Sequence, residues 1–127
     1  MSEGRTEFDR ESYLEALTRR LTICRAWAQF FDQYPVLLMP NSWQRQFAID
    51  DDTRSVERMN QLVAAQSPLL GTAMTGLPGL AVPTGMADGL PTGVQLVSGR
   101  FREDLALRAG EVIERAAMFS ALDRLAD

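Results

Sequence analysis

Apolar residues near the start of the chain recur in alternating steps of three and four, the spacing of one face of an amphipathic helix. They are Leu14, Leu17, Leu21, Cys24, Ala28 and Phe31. Asp9 has the character of an N-cap, and Phe8 and Tyr13 are placed as a hydrophobic staple across it. Pro35 ends the helix because it restricts the backbone of Tyr34. This apolar face, the seam of the helix, spans fewer than three heptads, which favours packing on its own domain over a coiled coil.

Strand and helix patterns alternate after this helix. Residues 36–39, Val-Leu-Leu-Met, form a continuous apolar run between prolines, which predicts a strand buried on both faces. Residues 41–52 have the composition of a polar loop. A second helix is expected from near Thr53 to just before Pro68. Its predicted inner face consists of Val56, Met59, Leu62 and Val63.

The remaining pattern predicts two strands and a last helix. Residues 80–82 and 93–97 are the strand candidates, and the Asp88-Gly89 pair between them supplies turn chemistry. From about Glu103 the period becomes 3.6. The predicted inner face of this helix is Leu105, Ala109, Val112, Ile113 and Ala116. The order helix-strand-helix-strand-strand-helix predicts one α/β domain over residues 1–127, with a mixed sheet of about three strands that is incomplete by itself.

Composition places the chain among soluble globular proteins, with 46% apolar and 24% charged residues. The net charge of −4 disfavours binding to nucleic acid. The polar, acidic N-terminus does not fit a secretory signal. Met59 to Ala87 has no charged residue, but its prolines and glycines make a membrane span a poor interpretation, so we expect it to be buried in protein. A lone Cys24 excludes an intrachain disulfide, and the cytoplasm is the default location.

The basic residues limit the available chemistry. All thirteen of them are Arg, and the sequence contains neither Lys nor His. This removes an imidazole base, a Schiff-base amine and the Ser-His, Cys-His and Ser-Lys pairs. The residues alone therefore predict no catalytic group and no cofactor. An enzyme built from carboxylates and Arg is a weaker alternative, because no two acidic residues can be placed facing each other.

Other features offer weaker signals. The acidic run at Asp50, Asp51 and Asp52 is a poor candidate for a metal site, because adjacent residues rarely converge on one ion. A solvated loop that leads to an N-cap near Thr53 is favoured, and no metal site is predicted. The glycines fit neither a P-loop nor a dinucleotide fingerprint, which leaves turns and close packing. Cys24 is expected to be a buried, unreactive thiol. Trp43 is a candidate for packing or for contact with a partner.

Several motifs follow one another in a fixed order. They are YPVLLMP at 34–40, TGLP at 75–78, VPTG at 82–85, GLPTGVQLV at 89–97 and FREDLAL at 101–107. Together they resemble the C-terminal part of the amidase signature family, whose members close with similar motifs before a last helix. Pro35 and Ala73 depart from the family pattern, which usually has Asp and Asn at these positions.

The resemblance implies part of a large mixed sheet near the substrate pocket of an amide hydrolase. In the family, the Ser, cis-Ser, Lys machinery lies in an earlier Gly/Ser-rich region that has no counterpart here. The chain would then be a fragment or subunit that is inactive alone or, alternatively, a non-catalytic binding or oligomerisation module derived from an amidase. Met74, Thr75 and Gly76 are the pocket-lining candidates. The expected partner is a second copy or an N-terminal amidase polypeptide, with a small amide substrate only in that complex.

Overall fold

The computed structural model describes residues 9–118. In chain order its elements are the helix α1 (Arg10–Gln33), the strand β1 (Val36–Pro40), a 3₁₀ turn (Asp51–Thr53), the helices α2 (Val56–Ala65) and α3 (Ser67–Thr75), the strands β2 (Gly79–Ala87) and β3 (Leu90–Ser98), and the helix α4 (Glu103–Ala117). The α/β class predicted from the sequence is confirmed, with one helix more than the predicted order. The expected staple through Phe8 lies outside the described residues.

β3 is the central strand of a three-stranded sheet with the order β1-β3-β2. Leu96 lies opposite Leu38 of β1 on one side and opposite Leu80 of β2 on the other, and both pairings are antiparallel. The sequence pattern predicts a mixed sheet, but the three described strands form a purely antiparallel one. A two-residue connection between β2 and β3 forces an antiparallel pair, because a parallel pair needs a crossover of a dozen or more residues.

Asp88 and Gly89 form the turn between β2 and β3. Both have positive φ, 52° and 78° respectively, as a type I′ hairpin turn requires. The turn predicted from the Asp-Gly pair is therefore confirmed. A register shift between Pro83 and Gly85 inserts one extra residue into β2, and Gly85 has a φ of 141° at this bulge.

One face of the sheet is covered by α4. The helix approaches β2 at Gly110, where a Cβ would stand 2.5 Å from Leu80 Cδ2 and 3.3 Å from Val82 Cγ2. Ala106, one turn earlier, is also buried. Val112 is expected on the inner face but is 67% exposed. The predicted inner face is therefore wrong at Val112. The residue of α4 that lies closest to the sheet is Gly110, which an apolar pattern does not reveal because glycine has no side chain.

The opposite face is covered by α3 and the end of α1. Gln95 Nε2 of β3 donates a hydrogen bond to Thr72 Oγ1 of α3 at 3.2 Å. Phe31 of α1 packs against Gly99, at 3.3 Å from the place of a Cβ. The buried apolar side chains within residues 9–118 are Leu62, Ala65, Val82, Leu96, Val97 and Ala106. The core is thus small and lies on and beside the central strand.

The start of α1 is capped as predicted, but its apolar seam is not buried. Asp9 Oδ1 accepts a hydrogen bond from the Ser12 amide at 2.8 Å. Leu14, Leu17 and Leu21 are all exposed, Leu21 by 63%. The expectation that the whole seam packs on its own domain is therefore wrong for its first half. The described part of the chain offers these leucines no surface to cover them.

Pro68 lies in the first turn of a helix, whereas the sequence pattern predicts that a helix ends before it. α2 stops at Ala65, and after Gln66 the separate helix α3 has Pro68 in its first turn. Proline fits this position because the first helical amides have no intrahelical acceptor. The N-cap of α2 is Ser55, whose side chain accepts from the Arg58 amide, so the start expected near Thr53 lies two residues further along the chain.

Candidate functional site

The three pocket-lining candidates lie together at the end of α3, but they differ in exposure. The Met74 side chain is exposed, and its carbonyl oxygen accepts a hydrogen bond from Arg20 Nε at 2.6 Å. Thr75 is buried, and its hydroxyl donates to the Gly71 carbonyl at 2.7 Å. Gly76 ends the helix with a φ of 66°, the left-handed cap that favours glycine. Their role in a substrate pocket stays a prediction.

Thr75 lines a cavity of about 270 Å³ between α1 and the turn before α4. Cys24 shares this cavity, and its thiol donates to the Thr75 carbonyl at 3.7 Å. Cys24 is half-buried rather than fully buried as the sequence suggested. Asp32 and Arg100 also line the cavity. Its polar wall therefore comes from α1 and the 99–102 turn.

A larger groove, of about 550 Å³, lies beside the loop that follows β1. We call it the 41–47 groove. Its walls come from loop residues 41–47, from Gln66 and Leu69 at the start of α3, and from residues 91–93 of β3. The volume falls within the range of small-molecule sites, roughly 300–1,000 Å³. The groove is not apparent from the sequence, because its walls come from three separate segments.

The loop that forms this groove is held at several points. The Trp43 amide donates to the Ala65 carbonyl, and Trp43 Nε1 donates to Ser67 Oγ, both at 2.9 Å. Arg45 forms an ion pair with Asp88 of the hairpin turn. These contacts join the loop to α2, α3 and the β2–β3 hairpin. Trp43 itself is 64% exposed, so its ring is anchored at the nitrogen and open elsewhere.

Two side-chain amides have a buried carbonyl oxygen that accepts no hydrogen bond from the described residues. They are Asn41, at the groove, and Gln95, beneath α3. Glycines make room for both: a Cβ on Gly93 would stand 3.3 Å from Asn41 Nδ2, and one on Gly79 would stand 2.8 Å from Gln95 Nε2. The close-packing role that the sequence predicts for its glycines is therefore confirmed for Gly79 and Gly93.

Asp51 is the centre of a charged clamp that closes the 41–50 loop. Its carboxylate accepts from Arg58 Nε at 2.9 Å and pairs with Arg54 at 3.1 Å. Asp51 is only 4% exposed, so the expectation of a fully solvated acidic loop is wrong for this residue. The hydrogen bond from Arg58 lowers the pKa of the Asp51 carboxyl, although desolvation opposes this effect. The clamp ties the loop to the first turn of α2.

Across residues 9–118, the side chains of His, Cys, Asp and Glu do not gather in groups of three that could hold a metal ion. In the same range, none of the helices is long and apolar enough to cross a membrane.

The sequence profile of the amidase family matches residues 2–107, and the chain belongs to this family. It looks like a C-terminal portion of such a protein. The sequence resemblance is thereby confirmed.

Similar proteins include an indoleacetamide hydrolase from Bradyrhizobium japonicum, 39% identical over 110 residues that make up 86% of this chain and 24% of the relative. A glutamyl-tRNA(Gln) amidotransferase subunit from Desulforudis audaxviator is 34% identical over 104 residues, 82% of this chain and 20% of the relative. The chain thus spans less than a quarter of the length of the curated relatives it matches.

The crystal structure of the corresponding glutamyl-tRNA(Gln) amidotransferase subunit from Thermotoga maritima has the same arrangement, with a TM-score of 0.70 and 25% identity. The similarity covers 81% of this chain and 22% of that one. The small sheet and its helices therefore correspond to a limited part of a much larger amidase fold.

Proposed function

We propose that this chain forms the C-terminal part of an amidase-type C–N hydrolase and is inactive without a polypeptide that supplies the nucleophile and its base. The sequence supports this because it contains no Lys, no His and no Gly-Gly-Ser-Ser-Gly stretch. The names of the similar proteins, a hydrolase of an amide and an amidotransferase subunit, support an amide as the substrate class. The cytoplasm is the proposed location, since a single Cys24 requires no oxidising compartment.

The exposure of apolar side chains on α1, α2 and α3 is the observation that carries this proposal. α1 and α3 lie side by side, joined by the Arg20 to Met74 hydrogen bond. The exposed apolar side chains on α1, α2 and α3 include Leu14, Leu17, Leu21, Met59, Val63, Leu70 and Met74. Soluble monomers rarely leave large apolar patches open. We therefore expect the catalytic polypeptide of the amidase to cover this surface, which we call the α1–α3 surface.

A complementation experiment tests the proposal. The Bradyrhizobium indoleacetamide hydrolase would be truncated by the segment that matches this chain, and the 127-residue chain would be added in trans. Ammonia release from indoleacetamide would be measured for each polypeptide alone and for the mixture. We expect release from the mixture only. Turnover by the pure 127-residue chain would contradict its inactivity, and a mixture that neither associates nor turns over would contradict the role as an amidase part.

Charge substitutions on the α1–α3 surface provide the matched control. Leu17→Glu and Leu21→Glu place a carboxylate on this surface, whereas Val112→Glu places one at an exposed position of α4, one helical turn from Arg108 and Arg115. Because an unpaired buried charge is costly, the α1 variants should abolish association and the α4 variant should retain it. Equal loss in all three variants would argue against the α1–α3 surface as the interface.

A second candidate function is a non-catalytic module that associates with copies of itself. An apolar groove of about 410 Å³ beside β1 favours this alternative. Ile23, Trp27 and Phe30 of α1 and Leu37 of β1 line it, and β1 is an edge strand. Light scattering coupled to size exclusion separates the two functions. A stable homodimer that excludes the truncated amidase would favour the module, whereas a mixed complex would favour the hydrolase part.

A further inference from the structure

The 41–47 groove has aromatic walls that the rest of the fold does not use. Trp43 and Phe47 both line it, and both are exposed, by 64% and 46% respectively, although their rings are apolar. Leu69 of α3 adds an aliphatic side. Aromatic rings prefer to stack on or meet the edge of another ring, which adds to the burial of apolar area. The groove is therefore suited to a ligand with a planar aromatic part.

The charges around the groove indicate a neutral ligand. The lining contains one charged side chain, Arg45, and the carboxylate of Asp88 neutralises it. The other polar groups of the lining include the side-chain amides of Gln44, Gln46 and Gln66. A charged ligand would lose its hydration and meet no free charge of opposite sign.

Within the described part of the chain, Asn41 is the lining residue of the groove that has an unpaired hydrogen-bond acceptor. Its Oδ1 is buried and accepts no hydrogen bond from the described residues, and its side chain has its place because Gly93 lacks a Cβ. A buried acceptor without a donor is unfavourable, and a ligand N–H would relieve it. A ligand that combines an aromatic ring with an amide N–H satisfies all three features of the groove.

We propose that Trp43 and Phe47 select amides with a planar aromatic acyl group, and that Asn41 accepts a hydrogen bond from the amide N–H. This rests on the proposed amidase function for the choice of an amide as ligand. The three residues determine specificity and take no part in bond cleavage. The groove lies wholly within this chain, so binding can be measured on the 127-residue protein without its catalytic partner.

Tryptophan fluorescence offers a direct readout, since the chain has two tryptophans and Trp27→Phe leaves Trp43 as the reporter. The probes are phenylacetamide, the aliphatic isovaleramide and N,N-dimethylphenylacetamide, which keeps the ring and the carbonyl but has no N–H. We expect phenylacetamide to bind about 2- to 12-fold more tightly than isovaleramide, the range that corresponds to aromatic stacking. It should also bind more tightly than the dimethyl compound.

Two variants and one control test which residues cause the ligand preferences. Phe47→Leu should reduce the preference for the ring, and Asn41→Leu should remove the preference for a free N–H. Phe101→Leu removes an equally apolar ring that is 86% exposed outside the groove, and it should change neither preference. Saturation-transfer NMR on the unsubstituted chain repeats the comparison if Trp27→Phe fails to fold.

The possible failures can be told apart. Equal affinity for phenylacetamide and isovaleramide, no binding of either, or an equal effect of Phe101→Leu would overturn the groove assignment. If the aromatic amide binds as expected while the complemented amidase turns over no amide, the groove assignment stands and the proposed function fails. If the complex hydrolyses aliphatic and aromatic amides equally well, the function stands and the aromatic selection is wrong.

Discussion

The close approach of α4 to β2 predicts that Gly110→Ala destabilises the chain, although alanine is the better helix former. In the helix interior this substitution would by itself gain about 1 kcal/mol. The new Cβ, however, would stand 2.5 Å from Leu80 Cδ2 and 3.3 Å from Val82 Cγ2. The first distance is about 1 Å short of an ordinary carbon–carbon contact. Overpacking of this kind costs about 1–3 kcal/mol, so the expected net loss is about 1 kcal/mol.

Gly71→Ala is the matched control, because Gly71 also lies within a helix and a Cβ there meets nothing within 4 Å. It should stabilise the chain by about 0.5–1 kcal/mol. Urea denaturation followed by far-ultraviolet circular dichroism would measure both free energies of unfolding. A Gly110→Ala variant as stable as Gly71→Ala would refute the packing argument. Adding Leu80→Val, which removes the clashing methyl, should recover much of the loss, and simple additivity of the two substitutions would also speak against a contact.

Other predictions concern local interactions. The hydrogen bond from Arg58 lowers the pKa of Asp51, so its contribution to stability is present above the unfolded-state pKa, about 3.9, and is lost as the pH falls through the lower folded value. In Asp51→Asn, the free energy of unfolding should therefore depend less on pH in the acid range. An unchanged pH dependence would show that the ion pairs of Asp51 do not contribute to stability. Ser55→Ala should cost about 1 kcal/mol in urea denaturation, since it removes the α2 cap; no loss would mean the cap is dispensable. Gly89→Ala should cost about 1–2 kcal/mol because φ is positive there, and an unaffected melting curve would argue against this turn.

Features that depend on neighbouring residues could be predicted from the sequence. The Asp9 cap, the end of α1 before Pro35 and the Asp88-Gly89 turn are each set by groups only a few positions apart. Pro68 shows the limit of this reasoning. Proline is compatible both with the end of one helix and with the first turn of the next, so the local signal does not separate the two.

The clamp at Asp51 and the groove at Trp43 could not be predicted in the same way. Asp51 lies in an acidic run that has the composition of a solvent-exposed loop. Its burial depends on ion pairs with Arg54, which precedes α2, and Arg58, which lies in the first turn of α2. The anchors of Trp43 are Ala65 and Ser67, more than twenty residues further along the chain. The weak signal available was a lone tryptophan in an otherwise polar loop.

The sequence by itself determined the family, the helices with strong periodicity and the hairpin, because motif order and local backbone chemistry are written in consecutive residues. The tertiary structure alone decided which apolar faces are covered. Leu96 and Val97 are buried between two helical layers, whereas Leu17 and Leu21 follow an equally regular pattern and remain exposed. An apolar pattern indicates that a face favours burial, but the surface that covers this face comes from distant segments or from another polypeptide.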